Sequence, residues 1–165
     1  MKYCMECGSR LVEKELEGEG MIPYCPSCGQ YRFPVFNVAV SVEVQSPEKD
    51  RILLIKQYGK DRYILVAGYV NKGENAEDTV AREVMEEIGL KVGKIHFEKS
   101  EYFAPSNTLM LNFSCVAEDD DLSGVCKGEV DYCTWFSREE AAENVAPGSL
   151  AGKFLKRFLA RTELK

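Results

Sequence analysis

The stretch that decides the fold runs from Gly68 to Leu90 and reads GYVNKGENAEDTVAREVMEEIGL. Val80, Val84 and Ile88 recur at four-residue spacing, the buried stripe of a helix. Asn75 stands where a cap belongs, acids crowd the first turn, and Gly89 is a natural stop. The spacing therefore predicts a helix over residues 76–88. Glu83, Glu86 and Glu87 stand at i, i+3 and i+4, so the helix sets their carboxylates side by side. Such a charge run is commonly solvated surface. Like charges repel, however, and a hard divalent cation such as Mg²⁺ or Mn²⁺, which prefers oxygen ligands, resolves the repulsion. Glu74 is placed to approach from the preceding loop, and Arg82 to orient a carboxylate through a two-point ion pair.

Outward from this helix the pattern is that of an α/β domain over residues 31–165. Strands are predicted over 35–44, 51–57 and 63–67 before the helix, and over 95–102, 109–117 and 129–136 after it. Ser137-x-x-Glu140 is a capping box opening a short helix. Residues 149–162 read as a closing amphipathic helix, with Leu150, Phe154, Leu155, Phe158 and Leu159 as its apolar face.

The first 30 residues form a separate unit. Four of the seven cysteines lie here, as Cys4-x-x-Cys7 and Cys25-x-x-Cys28. Two such pairs match a tetrahedral four-thiolate Zn²⁺ site with no open position, which makes the metal structural; two redox thiol pairs are the alternative. Each pair is followed by glycine (Gly8, Gly29), which suits the tight turn around a thiolate. The polar link from Ser9 to Gly20 offers little to bury, so the unit needs such a staple. Its acids outnumber its bases, which favours a scaffolding or dimer-forming role over DNA binding.

A net charge of -6 argues against a basic face for nucleic acid, although bound cations let an acidic protein hold a phosphorylated ligand. No apolar run approaches the roughly 20 residues of a membrane helix. Met1-Lys2-Tyr3-Cys4 opens no signal-peptide core, so the expected location is the cytoplasm. His96, the single histidine, belongs to no constellation, and Cys115, Cys126 and Cys133 read as buried or incidental thiols.

The pattern Gly68, Glu74, Arg82-Glu83-Val84, Glu86-Glu87, Gly89-Leu90 resembles the Nudix hydrolase signature at every fixed position. The resemblance implies a Nudix α/β/α sandwich with a mixed sheet that hydrolyses a nucleoside diphosphate linked to another moiety. It implies Mg²⁺ or Mn²⁺ held by Glu83, Glu86 and Glu87, with Glu86 and Glu87 as catalytic groups and a carboxylate of this set as a candidate base. A zinc ribbon before such a domain resembles the NADH pyrophosphatase branch, which splits NADH into reduced nicotinamide mononucleotide and AMP and includes enzymes acting on NAD-capped RNA. The resemblance covers essentially all of this chain and the later part of longer members.

That branch has a motif SQPWPFPxSLM, aligned with residues 100–110 here. Ser100, Leu109 and Met110 match, Phe103 keeps an aromatic and Thr108 is conservative, while the glutamine and prolines do not match. ADP-ribose, FAD and dinucleoside polyphosphates therefore stay open as substrates, as does a sensor that binds nucleotide without turnover. By the same resemblance Ala67 offers its carbonyl to metal, and Glu129 is a further metal ligand. Tyr31, Tyr69, Glu101, Phe103, Thr108 and Ala151 contact substrate, Tyr69 by stacking on nicotinamide. The resemblance also suggests a homodimer.

Overall fold

A computed structural model describes residues 1–162, in two compact units that part between Phe36 and Asn37. In the first, β1 (Val12–Leu16), β2 (Gly20–Cys25) and β3 (Gln30–Tyr31) form an antiparallel sheet in the order β1-β2-β3. The polar link thus contains the strand β1. Its side chains are mostly exposed, so no apolar alternation announces it. Lys14 lies 4.1 Å over the Tyr24 ring, and Tyr24 meets Tyr31 edge-on at 5.0 Å, which gives the small sheet its side-chain packing. Because Tyr31 pairs with Tyr24, and the Arg32 amide donates to the Pro23 carbonyl, the unit extends beyond residue 30.

The second unit is built on β4 (Asn37–Gln45), whose β-branched residues run through the centre of a six-stranded sheet. The other strands are β5 (Arg51–Lys56), β6 (Val66–Tyr69), β7 (Val92–Phe103), β8 (Thr108–Ala117) and β9 (Tyr132–Ser137). Their order is β7-β8-β4-β5-β9, with β6 also paired to β4. β4 and β8 run parallel and the other pairs antiparallel, so the sheet is mixed. Helix α1 (Ala76–Ile88) covers one face, where Val80, Val84 and Ile88 meet Val40, Val42, Val44, Leu53 and Ile55. Helices α2 (Arg138–Asn144) and α3 (Leu150–Thr162) cover the other, where Phe154, Leu155 and Phe158 meet Ile52 and Leu54. The period-two alternation of β5 thus feeds both cores of an α/β/α sandwich.

Most helix ends follow their sequence signals. Gly89 closes α1 at φ 81, and a Cβ there would stand 2.8 Å from the backbone of Gly124. The Ser137–Glu140 capping box is complete, and the Ser149 hydroxyl accepts the Gly152 amide at the start of α3. Asn75 holds the cap position of α1 but its side chain donates to Asp78 instead. Residues 129–131 form a loop ahead of β9 rather than a strand. Among the described residues, no helix is long and apolar enough to cross a membrane.

The central strand also carries a charge that the apolar pattern hides. Glu43 is fully buried, and Asn112 donates to both of its carboxylate oxygens, at 3.0 and 2.9 Å. Burial pushes its pKa up to about 8, with Asn112 pulling the other way. The folded protein thus prefers the neutral acid. Its stabilising contribution is whole below the ordinary value of 4.5 and is lost as pH rises through about 8. Glu43→Gln keeps the shape and cannot ionise. We expect wild-type stability to fall relative to Glu43→Gln between pH 5 and 9, by a few kcal/mol, since each tenfold change in proton affinity is worth about 1.4 kcal/mol. Denaturant melts of both proteins across that range check it, and curves that stay parallel refute it.

Candidate active site

β6 lies antiparallel to β4, with Gly68 opposite Val40, and delivers the chain to the loop before α1. A Cβ on Gly68 would fall 1.9 Å from the Glu83 carboxyl carbon, so glycine is what lets that side chain lie across the strand. With Val84 and Ile88 turned to the core, the adjoining face of α1 carries Glu83, Glu86 and Glu87 into a cleft. The cleft has a volume of about 480 Å³, and Ala67, Tyr69, Arg82, Thr108 and Glu129 also line it.

Arg82 organises one side of this cleft. Its Nε and Nη2 donate to the two Glu74 oxygens at 2.7 and 3.0 Å, and its Nη1 to Glu83 at 2.7 Å and Glu86 at 2.8 Å. Nη2 also reaches the Tyr69 carbonyl at 3.1 Å, so all five guanidinium donors are engaged. Glu74, clasped by Arg82 and by the Asn71 amide, is held well below the usual carboxylate range, at about 2. Both of its oxygens are committed, which sets it in the scaffold of the cleft rather than among the free donors.

Glu87 differs from its neighbours. It is 5% exposed; Gln57 donates to its Oε1 at 2.7 Å, and its Oε2 is buried with no hydrogen-bond partner. Burial raises its pKa to about 7 against the pull of Gln57, and the charges of Glu83, Glu129 and Glu86 raise it further. Glu83 is raised as well, by burial and by Glu86 and Glu129, with Arg82 opposing. A buried carboxylate oxygen without a donor is costly. Together with three neighbouring carboxylates it fits a hard divalent cation. Glu129 arrives from the loop before β9, where the Cys126 amide binds the last turn of α1 at the Glu87 carbonyl.

Ala67, Tyr69, Glu83, Glu86, Glu87, Thr108 and Glu129, all expected from the sequence, share this cleft. Glu101 and Phe103 instead line a separate groove of about 780 Å³ beside Ser149 and Lys153, and Glu101 is paired with Lys153. Ala151 packs against the core under α3, and Tyr31 belongs to the N-terminal unit, where its hydroxyl donates to the Glu15 carbonyl. Sequence patterns did not single out Tyr58, which lines the cleft, or Gln57, which is bound to Glu87. Both follow β5 directly, and only their contacts reveal them.

In the N-terminal unit, the sulfurs of Cys4, Cys7, Cys25 and Cys28 all lie within 4.8 Å of one another. Cys4 and Cys28 are 3.9 Å apart and Cys7 and Cys25 3.5 Å, near the roughly 3.8 Å edge of a tetrahedron with ~2.3 Å zinc–sulfur bonds. Backbone amides at Cys7 and the Arg32 guanidinium hold Cys4 down at about 6, whereas hydrogen bonding to the neighbouring sulfurs pushes Cys28 up to about 12. Four sulfurs this close could hold a metal ion, which would keep them as thiolates. Among the described residues this is the tightest acid or thiol cluster. The glutamates form no such cluster among the described residues; Nη1 of Arg82 binds one oxygen each of Glu83 and Glu86.

The mixed sheet between two helical layers, with an arginine-bound glutamate helix at its edge, defines the class. The chain belongs to the Nudix family, whose NUDIX domain matches residues 35–158. It is 28% identical over 162 residues to the NAD-capped RNA hydrolase NudC of Pseudomonas aeruginosa, covering 97% of this chain and 56% of that protein. It is 32% identical over 154 residues to the chloroplastic Nudix hydrolase 19 of Arabidopsis thaliana, covering 88% of this chain and 34% of the relative. The chain thus spans about half or less of these curated relatives. A crystal structure of a NUDIX hydrolase from Nitrosomonas europaea superposes with a TM-score of 0.65 at 20% identity, covering 99% of this chain and 93% of that one, which shows a shared fold.

The Gly68–Glu83 contact yields a test. Gly68→Ala forces only the flexible end of Glu83 to move, so the melting temperature should change little. The displaced carboxylate should weaken Mn²⁺ binding about 10- to 100-fold, the usual effect of disturbing a ligand's support. Titration with Mn²⁺ followed by electron paramagnetic resonance reads this out, and unchanged affinity would show that Glu83 is not a ligand.

Proposed function

We propose that this protein hydrolyses the pyrophosphate bond of an NAD-linked dinucleotide, converting NADH or NAD⁺ to nicotinamide mononucleotide and AMP. The observation that carries the reading is the buried, unpartnered Oε2 of Glu87 in a cleft shared with Glu83, Glu86 and Glu129. Such a set suits Mg²⁺ or Mn²⁺, with the Ala67 carbonyl as a further oxygen donor. The bound cation would neutralise phosphate charge and lower the pKa of attacking water. The chain's own contribution is to position the ligand carboxylates: Arg82 fixes one oxygen each of Glu83 and Glu86, and Gln57 fixes one oxygen of Glu87 and leaves the other free. Burial and the neighbouring carboxylates raise the Glu87 carboxyl to about 7 and so favour its protonated form. A bound cation needs the carboxylate, so cation binding favours release of that proton.

Tyr69, 58% exposed at the mouth of the cleft, offers a face for the nicotinamide ring, and Thr108 lines the same wall. The names of the NudC relatives extend the candidate substrates to NAD-capped RNA. The cysteine cluster holds Zn²⁺ as a structural staple, since four thiolates leave no coordination position for chemistry.

The decisive assay is hydrolysis of NADH, NAD⁺, NAD-capped RNA, ADP-ribose, FAD and a dinucleoside polyphosphate with Mg²⁺ or Mn²⁺. Preference for NADH or NAD-capped RNA is expected, and preference for another substrate would reassign the leaving moiety. Glu87→Gln should lower turnover by more than the ~100-fold that loss of an outer-shell partner costs, with the fold retained. Near-normal hydrolysis by that variant would remove Glu87 from the chemistry.

Metal analysis should find about one zinc per chain, lost on Cys25→Ser substitution together with the order of the N-terminal unit. Protein purified without chelator that carries no zinc would refute the staple.

A further inference from the structure

The turn after β5 holds an aromatic residue that packing does not explain. Tyr58 sits at φ 58, and at 76% exposure it is the most exposed large hydrophobic side chain among the described residues. The left-handed region is costly for a bulky residue, and glycine or asparagine is the usual occupant. The ring recovers little of that cost in the folded chain, because it is mostly in solvent.

The turn is nevertheless rigidly held. On one side Gln57 is buried and bound to Glu87 at 2.7 Å. On the other, the Gly59 amide donates to Asp131 at 2.7 Å, and the Asp131 amide donates back to the Lys56 carbonyl at 2.8 Å. Strain maintained by surrounding structure is a pointer to function when it faces a site. Tyr58 does so, since it lines the cleft that holds Glu83, Glu86, Glu87 and Glu129.

The position along α1 gives the ring a distinct place. Tyr69 is tied to the helix through its carbonyl at Arg82, and the Tyr58 turn is tied to it through Gln57 at Glu87. Five residues separate these attachments, about 7.5 Å along a helix rising 1.5 Å per residue. The backbones that carry the two exposed tyrosines therefore meet α1 at different points along its row of carboxylates, and both residues line the cleft.

We propose that Tyr58 is a substrate-binding platform for the adenine ring, so that with Tyr69 the cleft takes a pyrophosphate bearing an aromatic ring at each end. The inference rests on the proposed hydrolase reading and on Tyr69 taking the nicotinamide. It assigns the two halves of the dinucleotide to the two rings.

Tyr58→Gly removes the ring and relieves the backbone, whereas Tyr58→Phe keeps the stacking face. The expected result is a melting temperature for Tyr58→Gly equal to or above wild type, with KM for NADH raised about tenfold, within the range for losing one stacked base. Tyr58→Phe should stay within about twofold of wild type, as the π-face is intact. Inhibition by the product halves separates the two rings: Tyr58→Gly should weaken AMP and spare nicotinamide mononucleotide, and Tyr69→Ala should do the reverse. An unchanged KM in Tyr58→Gly overturns the proposal, and so does weakening of the same mononucleotide by both variants. If the wild type hydrolyses no member of the substrate panel, the hydrolase reading fails. Calorimetric binding of AMP to wild type and Tyr58→Gly in Mn²⁺ then still decides the role of the ring, with equal affinities overturning it.

Discussion

One guanidinium makes the carboxylate cleft possible. Three glutamates within one and a half turns of α1 repel one another, and Glu129 adds a fourth negative group. Arg82 spends all five of its donors on Glu74, Glu83, Glu86 and the Tyr69 carbonyl. It thereby joins the loop, the end of β6 and the helix at one point. The two-point clasp on Glu74 fixes the loop, and the single bonds to Glu83 and Glu86 leave each of these with an oxygen for other partners. Lysine could not replace it, having a point charge and three donors where a planar fork of five is in use.

Glu87 depends on a different support. It lies on the core side of the helix, where burial makes its charge expensive and its neighbours make it more so. Gln57 compensates one oxygen only. The two halves of the cleft thus present charge in two states: Glu74 and its arginine form a saturated pair, and Glu87 is under-compensated. A cation entering the cleft is attracted most to the group that is worst satisfied. That asymmetry, more than the number of acids, distinguishes this helix from a solvated acidic face.

Much of this was legible in the sequence, for identifiable reasons. Helix α1 combined four-residue periodicity with a glycine stop, and the structure places it at Ala76–Ile88. The capping box at Ser137 and the apolar face of α3 were equally plain. The ribbon strands were not, because β1 is almost wholly exposed and its pairing, not its composition, defines it. Glu43 stood within an apolar run that gave no hint of a buried acid bound by Asn112, a residue distant in sequence. Gln57 and Tyr58 escaped for a similar reason: a glutamine and a tyrosine at a strand end are ordinary until Glu87 is found beside them. Glu101, Phe103 and Ala151 show the converse, since adjacency to a motif in sequence did not bring them into the cleft with the glutamates.

The meeting of Gly89 with Gly124 has a consequence for the order of assembly. No side chain intervenes where these two backbones touch, and a Cβ at Gly89 would stand 2.8 Å from Gly124, so the contact requires both glycines. It is also remote in sequence, as is the parallel pairing of β4 with β8. Local contacts form early and distant ones late, because loop closure must precede the reward. The contacts of the arginine clasp span at most 13 residues of sequence, whereas the Glu129 loop reaches α1 from much further along the chain. Three of the four acids are neighbours on one helix, and the fourth is placed by the loop that leads into β9, so the complete cleft depends on the pairing of β9 with β5.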